Sequence, residues 1–198
     1  MICAMTESLG RGPYGQKFFG SFFQKRTLAC LILLLAAAAP ASTDTLLAAL
    51  AAAPNERVAE DIEAKLQSAW HDQATPAVQI LIDHATIAAA HDKMKDALAD
   101  SDAAVVLQPD LADLWRRRAE ARFATGDEAG AVSDLAEALV REPRLIPALA
   151  DLSRFAELRH DDKRALEAWR RVMELDPHAE GGQKRLERLQ KKVNGEPT

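Results

Sequence analysis

ADLWRRRAEARFATGDEAGAVSDLAEALVREPRL, residues 112–145, is the stretch whose reading decides the fold. Two helical patterns meet at the turn Gly126-Asp127, and the second stops at Pro143, where a proline cannot continue a helix. Trp115 and Ala119 recur at helical spacing in the first half; Ala131, Leu135 and Ala138 do so in the second. Alanine at 119 and 131 lets the two helices cross closely, where a larger side chain would force them apart. Glycine at 126 suits a turn that needs positive φ.

The same unit recurs on both sides. Pro109, Pro143 and Pro177 are spaced 34 residues apart, giving rows 78–111, 112–145 and 146–179. Ala97, Ala131 and Ala165 align down these rows, as do Ala104, Ala138 and Val172, while Leu135 aligns with Trp169. Asp92 and His160 fill the column of Gly126, and both residue types accept positive φ more readily than most. A 34-residue period of paired helices is the signature of the tetratricopeptide repeat (TPR), and the middle row resembles that family most strongly. The predicted class is all-α: a solenoid of about three helix-turn-helix repeats over 78–179. Few aromatics (5%) and abundant alanine suit helices better than strands.

Upstream, Val58, Ile62, Leu66 and Trp70 form an amphipathic stripe that begins near the helix cap Asn55, so 42–77 reads as an N-terminal helix or a degenerate leading repeat. Downstream, 180–198 reads as a capping helix and tail. Leu186, Leu189 and Val193 share one face there, and Lys184, Arg185, Arg188, Lys191 and Lys192 cover the rest.

Residues 1–41 read as a signal peptide with a long basic region. Lys25 and Arg26 precede the apolar run Leu28–Ala38, and Ala39-Pro40-Ala41 supplies small residues for cleavage after Ala41. A membrane span needs roughly 18 apolar residues or more, so the expected location is periplasmic or secreted, with an inner-membrane anchor as the alternative. Both cysteines, Cys3 and Cys30, lie in this leader. Without its Glu7, Arg11, Lys17, Lys25 and Arg26, the remaining 21 Lys and Arg face 29 Asp and Glu, a formal charge of −8. Nucleic acid is not an expected partner for so acidic a chain, and no membrane insertion is expected after cleavage. As a whole, 44–193 resembles small exported bacterial TPR proteins, which implies a protein or peptide partner and a role as scaffold or adaptor in the cell envelope.

Motifs for chemistry are missing from the sequence. It has no Gly-rich phosphate loop, no Gly-x-Ser-x-Gly and no His-Glu-x-x-His. No catalytic residue, metal site or cofactor is therefore expected. His84 and His91 lie seven apart, whereas metal-binding pairs on helices are usually three or four apart; His84 is expected to face the helix pair and His91 a turn. The competing readings are a small-ligand or metal carrier, with a closed apolar pocket near His84, and an accessory subunit of an envelope enzyme complex. Trp70, Trp115 and Trp169 are expected to pack in the core.

The family's geometry implies which side chains face the concave groove. In the first row these are Gln79, Ile82, Thr86 and Ala89. The second row offers Asp113, Arg116, Glu120 and Phe123, and the third Pro147, Ala150, Arg154 and Glu157. Arg116 and Arg154 stand out as cations able to grip a carboxylate in a fork. The lysine and asparagine clamp that some TPR domains use on a C-terminal carboxylate is absent, because Ile82, Asp83 and Thr86 stand there instead.

Overall fold

The computed structural model describes residues 42–196, so the expected leader over 1–41 and its cleavage point fall outside the described residues. These contain nine α-helices and no strand: α1 (Thr43–Ala51), α2 (Glu56–His71), α3 (Pro76–Ala90), α4 (Met94–Leu107), α5 (Ala112–Ala124), α6 (Glu128–Arg141), α7 (Ile146–Leu158), α8 (Asp162–Leu175) and α9 (Gly182–Asn194). Local chemistry sets the boundaries. Ser42, Asn55, Asp127 and Asp161 cap α1, α2, α6 and α8 by accepting a backbone N–H of the first turn. Pro76 and Pro147 sit at helix starts, where a missing N–H costs nothing.

The pairs α3–α4, α5–α6 and α7–α8 are the three repeats. Each packs on the next, and α9 closes the far end against α8. All three turns use positive φ in the same column: 56° at Asp92, 92° at Gly126 and 59° at His160. The aligned alanines 97, 131 and 165 are buried where paired helices cross. Phe123 stacks on Phe155 with ring centres 3.9 Å apart, joining the second repeat to the third. At the cap, Trp169 donates its indole N–H to the Gly182 carbonyl at 3.0 Å while Arg185 covers its ring. Leu189 is fully buried beneath.

The segment before the repeats does not head the stack as a further unit. α2 does not lie beside α3 in the way that α4 lies beside α5. Instead α1 and α2 turn back across the later repeats. α1 packs on α8, Asp44 pairs with Arg144 at 2.6 Å, and His178 Nε2 lies 2.9 Å from the Ala53 carbonyl oxygen. Glu63, Leu66 and Trp70 share a small cavity with Pro147, Ala150 and Val172. Matching apolar faces account for this. Leu46, Leu47 and Leu50 of α1, with Ala59, Ile62, Leu66 and Trp70 of α2, bury themselves in one cluster with Leu135, Leu145, Ala148 and Phe155. The link Asp72–Thr75 is held by Gln108, which donates to the Gln73 carbonyl at 2.9 Å and accepts the Thr75 amide at 3.0 Å.

Candidate functional site

The front helices α3, α5 and α7 carry the stripe expected to line the groove, but the side chains divide into three groups. Thr86, Glu120 and Arg154 are exposed. Gln79 and Ala89 are half-buried, while Ile82 is buried in the first repeat. Asp113, Arg116 and Glu157 are tied up in internal ion pairs. Asp113 is 7% exposed. Its two oxygens meet Arg116 Nε at 2.7 Å and Arg117 Nε at 2.6 Å. Arg116 reaches on to Asp151 at 3.3 Å and Glu120 at 3.6 Å, leaving 14% of its side chain exposed. Glu157 is bonded by Arg185 and Arg188 of the cap at 2.7 and 2.9 Å.

These placements correct the expectation that Arg116 is a free fork for a ligand carboxylate. Three carboxylates of the chain already engage its Nε and Nη1, and its side chain is mostly buried, so Arg154, 45% exposed and shared between Asp151 and Glu120, better keeps that character. Phe123 is likewise spent on its stack with Phe155. Electrostatics follow from the packing. Burial acts to raise the Asp113 pKa, but Arg116 and Arg117 overcome it and hold the carboxyl below its ordinary value. The same neighbours, Asp113 foremost, keep Arg116 firmly protonated against its own burial.

A cleft of about 170 Å³ opens between α3, α4 and α5, lined by Ala85, Thr86, Ala89, Ser101, Arg117 and Glu120 among others. Its floor is small and apolar. Thr86 marks one edge, its hydroxyl donating to the Ile82 carbonyl at 2.7 Å and lying 3.4 Å from Arg117 Nη1. At the third repeat the stripe is shared: Pro147 and Ala150 border the cavity whose other wall is α2.

Sequence reading passed over a second ionic layer. Asp134, 2% exposed, accepts from Arg118 at 2.7 and 2.8 Å and pairs with Arg122 at 3.0 Å. Trp115 lies between Arg118 and Arg141, 4.8 and 4.3 Å from its ring centre, and donates its N–H to the Pro109 carbonyl at 2.7 Å. The run Arg116-Arg117-Arg118 was the available signal, since three successive arginines on one helix cannot all point to solvent. His84 departs from its expected place: it is exposed on α3. No described helix is long and apolar enough to cross a membrane.

No family model matches the chain. A TPR repeat-containing protein of Rhizobium etli is 29% identical over 140 residues, which cover 71% of this chain and 69% of that protein. Among solved structures, the first TPR of Spaghetti (RPAP3) bound to the HSP90 peptide SRMEEVD is 19% identical, with a TM-score of 0.56 over 60% of this chain and 94% of that one. The Sgt2 TPR domain from Aspergillus fumigatus is 23% identical, with a TM-score of 0.57 over 63% and 87%.

Proposed function

We propose that this chain, whose fold is that of a tetratricopeptide-repeat solenoid, is a non-catalytic scaffold or adaptor that holds a segment of a partner protein in its groove. The observation that carries this reading is the open cleft between α3, α4 and α5, whose apolar floor and polar edges Thr86, Arg117 and Glu120 suit a peptide backbone with small side chains. The peptide held by the first TPR of RPAP3 supports a peptide as the ligand class. A chaperone-type acidic tail is not the proposed ligand, because Asp83 and Thr86 replace the cation and amide that would grip it.

Ala89→Trp, which fills the cleft from its half-buried edge, should leave the circular dichroism spectrum unchanged and lower crosslinked capture of a partner from intact cells at least tenfold. Reversing Lys191 and Lys192 to glutamate is the control for nonspecific charge effects. If that control loses capture while the cleft variant keeps it, the contact surface is α9 and the groove reading fails.

We further propose that the protein works after export, in the bacterial envelope. Support comes from the basic and apolar pattern of residues 25–41 and from Ser42, which caps the first described helix at the point where the helical unit begins. N-terminal sequencing of the mature chain should start at Ser42, and an intact leader in a soluble cytosolic fraction overturns the location.

A further inference from the structure

The repeats themselves provide a standard for what should be buried. Third and tenth places of the second row are Leu114 and Ala121; in the third row they are Ala148 and Phe155. All four are at most 4% exposed. The equivalent residues of the first row are Ile80 and Ile87, and each is 57% exposed. In the later rows these places meet the preceding repeat, so α3 presents an apolar stacking face with nothing stacked on it. The helix pair that precedes it in the chain sits elsewhere, across the third repeat. Its link, Asp72–Thr75, spans four residues, as do Gln108–Leu111 and Glu142–Leu145, the links that let α4 and α6 stack beside the helices following them. α2 is thus tethered at the right length for the empty face.

We propose that the α1–α2 pair is an exchangeable cover with two seats: in the closed state it lies over Pro147 and Ala150, and in an open state it stacks on Ile80 and Ile87 as a leading repeat, freeing the third repeat's share of the groove. This rests on the groove being the binding surface, but the exchange itself is measurable without any partner.

The closed seat is imperfect in ways that suit release. A cavity of about 150 Å³ remains beneath α2. The indole N–H of Trp70, buried there, has no hydrogen-bond partner among the described residues. Glu63 and Asp176 face one another across this contact. Their mutual hydrogen bond, burial, and the charges of Asp176, Glu60 and Glu180 raise the Glu63 pKa to about 8. The α7 and α8 residues that line the cavity, Ile146, Pro147, Ala150, Trp169 and Val172, carry no charge. Closure therefore keeps a proton that the released carboxyl, with an ordinary value near 4.5, gives up. The closed state is favoured most at low pH, loses ground as pH rises through the window from 4.5 to about 8, and is indifferent to pH above it. One linked proton limits the change to about tenfold in the closed-to-open ratio per pH unit.

The test is a distance distribution between spin labels at Lys65→Cys on α2 and Lys184→Cys on α9, both exposed, in the full chain with Cys3→Ser and Cys30→Ser. A short distance should dominate at pH 5 and a second, longer one should grow by pH 8. Glu63→Gln, which keeps the hydrogen bond without the charge, should hold the short distance across that range. Ile80→Glu with Ile87→Glu should abolish the long population while leaving the helical content intact, since both side chains are exposed when the cover is closed. One short distance at every pH in the parent chain overturns the exchange. A long distance that survives the double substitution overturns the second seat. Loss of partner capture with the two-population exchange intact counts against the groove reading alone.

Discussion

Asp134→Ala should lower the melting temperature sharply, with a loss of about 3–5 kcal/mol, the range for removing one partner of a buried ion pair. The carboxylate is 2% exposed, and both its oxygens are engaged by Arg118 and Arg122. Arg118 is the member stranded most severely. Its side chain is 12% exposed, lies against Trp115, and keeps only Asp102 at 3.4 Å once Asp134 is gone. The third repeat offers the counter-experiment, because Leu152, Ala156 and Ala168 stand in the columns of Arg118, Arg122 and Asp134. Copying them, as Arg118→Leu with Arg122→Ala and Asp134→Ala, should recover most of the loss, since replacing a whole buried ionic group by apolar side chains is often neutral. Thermal unfolding followed by circular dichroism separates the cases. Equal melting of the single and triple variants means that the stranded charge is not what destabilises.

That comparison also marks where the sequence is legible. The 34-residue period, the small columns at 97, 131 and 165 and the positive-φ turn column could all be read from residue types, because backbone geometry admits few alternatives there. The ionic layers could not be read so directly. Three successive arginines at 116, 117 and 118 cannot all face solvent, but only the packed neighbours show that Asp113 lies beneath Arg116 and Arg117 and Asp134 beneath Arg118. The leading pair teaches a different lesson. The buried stripe of α2 was visible as Ile62, Leu66 and Trp70, but a stripe states that a face is covered and not what covers it. Ile80 and Ile87 stand in columns that are buried in the other rows, yet α2 folds back and buries its apolar face with the later repeats. The candidate groove inherits both difficulties: the family positions name a helix phase, while neighbours from other helices decide which of those side chains are exposed and which are paired.

Charge reversal along the groove should therefore split into two very different outcomes. Arg116→Glu places a carboxylate within the reach of Asp113, Asp151 and Glu120, which now lie 2.7 to 3.6 Å from the guanidinium nitrogens. Loss of the cation and the new repulsion together should cost at least about 3–5 kcal/mol, a large fraction of a domain's stability at neutral pH. The pH dependence fixes the cause. In the parent chain Asp113 is held below its ordinary value, so its contribution is present above the unfolded carboxyl pKa, near 3.8, and is lost as pH falls through the depressed folded value. In the variant the crowded carboxyls are pushed upward instead, so acidification toward about pH 4 protonates them and narrows the gap to the parent. Arg154→Glu should behave as a surface change. Its side chain is 45% exposed and its pairs with Asp151 and Glu120 are worth about 0–1 kcal/mol, so the fold should survive while partner capture weakens. Capture by the parent should also weaken as salt rises, because an exposed cation is screened within about 10 Å at 0.1 M salt. Denaturation midpoints for the two variants at pH 7 and pH 4.5 suffice. If Arg116→Glu is as stable as Arg154→Glu at pH 7, the Asp113 cluster is not buried in solution and Arg116 regains its place as a free groove contact.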